Sequence, residues 1–175
     1  MQLRDLQDLL EKEEFSTTLL PASKDSFNEK LILFLGLDHF DRERVAEITL
    51  HQQIRSLEVS ETVQEQIPPQ LHFLAELPFK VEDLALSQVA SLLFFINPLL
   101  DIPGFYLDEL EGKVYYRVVH LADPTVPLHK SILLTLIGSL MLNLNLFAST
   151  IESLATGEVT FNDLLKQLTE AKNKK

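Results

Sequence analysis

The sequence predicts an α+β domain, an antiparallel sheet with helices packed on one face, in the order α-β-β-β-β-α-β-β-α-α. Three observations carry that prediction. Short segments of alternating or β-branched apolar character recur through the first eighty residues. Helical periodicity marks both ends of the chain. A hairpin signal centred on Glu111-Gly112 lies between two long apolar helical segments.

Leu3, Leu6, Leu9 and Leu10 recur at helical spacing among charges, so residues 2–13 are expected to form an amphipathic helix. Residues 15–20 read as a short strand closed by Pro21, residues 22–28 as a turn, and residues 31–37 and 45–54 as strands. In the second of these, Ala46, Ile48, Leu50, Gln52 and Ile54 share one face while Glu47, Thr49, His51 and Gln53 share the other, so one wall of the sheet is wet. A polar connection over 57–70, with Pro68-Pro69, leads to a strand over 71–79. Asp83 is the expected N-cap of a helix over 84–96 that stops at Pro98. Strands over 105–110 and 113–121 form the hairpin, with Gly112 where positive φ is cheap. Pro127 is expected to open a long helix to about Leu154, ended by Gly157, and residues 161–171 form a last amphipathic segment. The division that follows is one α+β domain over 1–157, with the helix and tail of 158–175 appended to it.

At 175 residues and 46% hydrophobic, the chain suits one domain with a proper core. Twenty-six acidic against fifteen basic side chains give a net charge of -11, which disfavours polyphosphate and hence nucleic acid. The chain has no cysteine, which excludes disulfides, thiolate metal sites and cysteine nucleophiles and fits a reducing compartment. The N-terminus lacks the basic start and apolar run of a secretory signal, and polar residues interrupt the membrane-like stretch 131–148. A cytoplasmic protein without a membrane span is expected.

On the long helix, His129, Leu133, Leu136, Leu140, Leu144, Phe147, Ile151 and Leu154 form one apolar stripe. Leu134, Ile137, Met141 and Ala148 form a second row beside it, leaving Thr135, Ser139 and Asn143 as a thin polar strip. Leaving that row wet would forfeit several kcal/mol at about 25 cal/mol per Å². It is therefore expected to be covered by the C-terminal segment or by a second copy of the chain.

Chemistry is thin. None of the five histidines belongs to a pattern that places two metal ligands on one helical face, so no metal is expected. Asp38, Asp41 and Glu43 around His39 read as acids solvating a turn, and Asp108, Glu109, Glu111 and Asp123 as a charged hairpin edge. No glycine-rich phosphate loop and no GxSxG motif occurs, so neither a cofactor nor an enzymatic activity is expected. Aromatic residues crowd the second helix and the hairpin. Phe105 and Tyr106 point to opposite faces, as do Tyr115 and Tyr116, so one member of each pair is a candidate for exposure.

The run LPFKVEDL, the helix ending SLLFFIN, the PGFYLD strand and the EGKVYYRV return strand resemble the corresponding part of YbjN-like proteins. With the order of elements, the chain looks like the secretion-chaperone-like α+β fold that those proteins share with type III secretion chaperones. The resemblance covers about half the chain. It implies a small acidic protein, often dimeric, that binds or regulates other polypeptides and has no catalytic residues to carry over. The added helix after Phe161 departs from it. The expected function is a non-enzymatic protein-binding or chaperone-like module, a homodimer with a protein partner or client. Tyr106, Tyr116, Ile48, Leu50 and Met141 are the candidate contact residues. The alternative is a small-molecule-binding or enzymatic domain with His51, His120 and the hairpin acids lining a pocket.

Overall fold

The computed structural model describes residues 2–22, 28–51, 68–102, 104–123, 126 and 128–173, with side chains to 170. The expected turn over 22–28, the end of the third strand and most of the 57–70 connection fall outside the described residues, as does Pro127.

The fold is α+β, and the described residues form six antiparallel strands and four helices in the predicted order. Helix α1 is Leu3–Lys12, α2 Leu86–Ile96, α3 Lys130–Ala155 and α4 Phe161–Asn173. The strands are β1 Thr17–Leu20, β2 Lys30–Leu37, β3 Glu43–His51, β4 Gln70–Lys80, β5 Phe105–Asp108 and β6 Lys113–Leu121, arranged β1-β2-β3-β4-β6-β5.

Strand alternation decides which side is the core. Leu31, Leu33, Ala46, Ile48, Leu71, Phe73, Val114, Tyr116 and Val118 are buried, and the residues between them are not. The buried residues of α1, α2 and α3 complete the same cluster, and α4 packs against it through Phe161 and Leu164. All four helices therefore lie on one face. At the hairpin, Gly112 has φ +62°, as its turn requires. Gly104 has a different cause: a Cβ there would collide with the carbonyl of Arg117, which sits across the strand pair.

Several local expectations change. Asp83 makes no side-chain cap, because a short 3-10 turn over Asp83–Ala85 leads into α2. His129 leaves the apolar stripe and caps α3, its Nδ1 accepting from the Ser131 N–H at 3.3 Å. Asn143 is buried rather than part of the polar strip and donates to the Tyr116 hydroxyl at 2.6 Å. The second row on α3 is covered mainly within the chain: Ile137 is buried, and Met141 and Ala148 pack on the core. The cover does not come from α4, which lies on α2 through a Phe95–Phe161 edge contact and a bond from the Phe161 N–H to Gln88. A third row, Ile132, Leu142 and Leu146, is the exposed one. By length and composition α3 could cross a membrane, but its buried face is part of this core.

Candidate functional site

With every helix on one side, the opposite face of the sheet is left open by the described elements, and the strand register fixes what it displays. One row runs Thr18, Ile32, Glu47, Leu74, Arg117 across β1, β2, β3, β4 and β6. The next runs Leu20, Lys30, Thr49, His72, Val119. Phe34 pairs with Val45, and Glu76, Tyr115 and Tyr106 form a further row toward the hairpin. Phe34, Val45 and Val119 on inner strands, and Tyr106 on edge strand β5, are each about 40% exposed, which is high for large side chains of a sheet.

The charges on this face are largely satisfied among themselves. Lys30 pairs with Glu47 at 2.9 Å and Lys113 with Glu76 at 3.0 Å. Hydrogen bonding to Glu76 raises the pKa of Lys113, overcoming slight desolvation. Arg117 approaches His72 Nδ1 at 3.1 Å, and the His51 and His72 rings lie 4.2 Å apart. Partial burial, and then electrostatic repulsion from His51 and Arg117, hold the His72 pKa below its ordinary value. Tyr106 and Tyr115 stack at 5.2 Å with an angle of 17°, and burial pushes both phenols above their ordinary range. The result is a paired polar frame with aliphatic and aromatic patches between its charges, the composition that contact surfaces favour at their centres.

Of the candidate contact residues, Tyr106 lies on this face. Tyr116 and Ile48 do not: both are fully buried, because they belong to the strand parity that faces the helices. Leu50 and Met141 are half-buried and packed on the core. Tyr115, the neighbour of Tyr116, is the outward member of its pair, and the alternation of Lys113, Tyr115 and Arg117 with Val114, Tyr116 and Val118 carried that signal.

The described residues do not bring together the two histidines named for a pocket. His51 pairs with Gln70, itself opposite Leu121, on the open face, whereas His120 pairs with buried Leu71 on the helix side, so the two histidines lie on opposite faces of the sheet. A cleft lined by Asp38, Arg42, Leu77 and Glu152 holds about 10 Å³, room for a single water at most. Its polar groups serve the fold. Arg42 bonds Asp38 at 2.7 Å, Glu152 at 2.7 and 2.8 Å, and the Pro78 carbonyl at 3.0 Å, tying the β2–β3 turn to the end of α3. Among the described residues no three potential metal ligands gather.

No protein-family model matches the chain, and no curated protein is significantly similar to it.

Proposed function

We propose that this chain is a non-enzymatic protein-binding or chaperone-like module that holds a partner polypeptide against the open face of its sheet. The observation behind the reading is the row structure of that face. Aromatic and aliphatic side chains stand about two-fifths exposed on a rigid sheet while their charged neighbours are already paired with one another. A partner covering the patches would bury apolar area without stripping unpaired acids of water. The acidic composition, the order of elements and the resemblance to YbjN-like proteins agree with this reading, as does a cytoplasmic setting for a chain without cysteine.

Purification of the tagged chain from its native host, beside Val119→Glu on the open face and Leu142→Glu on the exposed row of α3, tests it. A stoichiometric protein retained by Leu142→Glu and lost from Val119→Glu supports the reading. Loss from Leu142→Glu alone moves the working surface to the helices, and recovery of no partner removes the reading's support.

A further inference from the structure

Three side chains from adjacent strands meet on the open face: His51 of β3, His72 of β4 and Arg117 of β6. The register brings them together. His72 lies between Thr49 and Val119, so His51 and Arg117 are its diagonal neighbours, each two residues along a flanking strand. The two rings are 4.2 Å apart, and an Arg117 Nη lies 3.1 Å from His72 Nδ1.

The guanidinium fixes the protonation state of His72. Arginine has only N–H groups to offer, so the Nδ1 that receives one carries a lone pair and the ring is neutral. Its proton then sits on Nε2 and is donated to Gln70 Oε1 at 3.1 Å. Both ring nitrogens are used, and only this tautomer uses them. A second proton, on Nδ1, would set N–H against N–H and break the Arg117 bond. It would also leave a cation between a guanidinium and a second imidazole.

The described acids of this face are already engaged. The ionisable groups around His72 are Glu47 and His51 on β3, Glu76 on β4, and Lys113, Tyr115 and Arg117 on β6, with Lys30 on β2 and Tyr106 and Asp108 on β5 beyond them. Lys30 holds Glu47 at 2.9 Å and Lys113 holds Glu76 at 3.0 Å. Asp108 accepts from the Leu110 and Glu111 N–H groups at the hairpin turn. The described helices all pack on the other face and bring no further charge here.

We infer that His72, with His51 and Arg117, is a proton switch in the charge of the open face, which is close to balanced while the ring is neutral and cationic once it is protonated. The consequence for binding rests on the reading of this face as the partner surface. A polypeptide laid over the pair removes the water that a charged imidazole needs, so the bound state holds His72 neutral. The free chain then takes up one proton more than the complex. Affinity therefore falls as pH drops through the His72 range, by about tenfold per pH unit for one excluded proton.

Histidine nitrogen NMR of the full chain through a pH titration reads the switch without a partner. His72, assigned through His72→Gln, should hold its proton on Nε2 near neutrality and take up the second below the ordinary histidine value of about 6.5. Arg117→Gln and His51→Gln should each raise that midpoint by about half a unit, because each removes a neighbour that opposes the second proton. A His72 that is cationic at neutral pH, that carries its proton on Nδ1, or whose midpoint ignores both substitutions overturns the switch. The link to binding is read on the protein that the tagged chain retains from its native host. That protein should leave the wild type in a wash at about pH 5.5 and stay on His72→Gln. Retention by both, or release from both, overturns the link. Recovery of no protein at neutral pH counts against the reading of the face, while the switch stands or falls on the titration.

Discussion

Tyr116 joins three parts of the fold through one oxygen. Its hydroxyl donates to the Ile102 carbonyl in the approach to β5 and accepts from Asn143 of α3, while its ring is fully buried beside Phe105. Burial raises the phenol's pKa, and the bond from Asn143 offsets part of that rise. Tyr116→Phe would keep the ring and strand the Asn143 amide and the Ile102 carbonyl. A loss of about 1–3 kcal/mol is expected in urea unfolding. Tyr116→Phe with Asn143→Leu should recover part of it, because the unmet donor goes too. Asp38 supplies a pH signature. Burial alone would raise its pKa, but bonds from the Arg42 N–H and guanidinium and from the Phe40 N–H outweigh that and hold it below the ordinary carboxylate value. A carboxylate easier to ionise folded than unfolded stabilises the protein above the unfolded pKa, about 4, and the contribution disappears as pH falls through the lower folded value. The stability gap between wild type and Asp38→Asn should therefore be largest near neutrality and close below about pH 4.

At the scale of elements, the strands and helices were legible because each kept its period. β3 alternated Ala46 and Ile48 with Glu47 and Thr49, and the hairpin advertised its Gly112 turn. What alternation alone left open was the identity of the dry face. Ile48 and Tyr116 follow the apolar parity that the helices cover, so the residues with the greatest attraction for a partner in sequence are the ones the core consumes. The closure of the β5 edge, where the Asn97 side chain bonds the N–H and carbonyl of Phe105, was illegible for another reason. Asn97 closes β5 from eight residues away, across a 3-10 turn, and nothing in its neighbourhood distinguishes it from any other residue ending a helix. The Arg42 clamp likewise joins residues 110 positions apart. Asn97→Ala should cost about 1–2 kcal/mol from the two bonds at Phe105. It should also expose those backbone groups, so light scattering on mild heating is expected to show aggregation that wild type lacks.

At the scale of the whole molecule, the distribution of burial is one-sided. The helices and the inner face of the sheet share a single core, and the described helices leave the other face of the sheet uncovered. A fold could cover such a face with another helix, but α4 is placed on α2 instead. On the open face the charges are close to balanced: Lys30 meets Glu47, Lys113 meets Glu76 and lies opposite Asp108, and Arg117 stands beside His72, on a protein of net charge -11. A face with its charges already paired favours a partner segment that is mainly apolar where it touches the sheet.

Site-specific photo-crosslinking in the native host tests this account most directly, with a benzophenone side chain placed at Tyr106 on the open face and, separately, at Leu142 on α3. The account predicts a discrete adduct to another protein from position 106 and none of comparable yield from position 142. An adduct from 142 alone, or a bare chain at both positions, would contradict the claim that the helix-free face is the surface this protein works with.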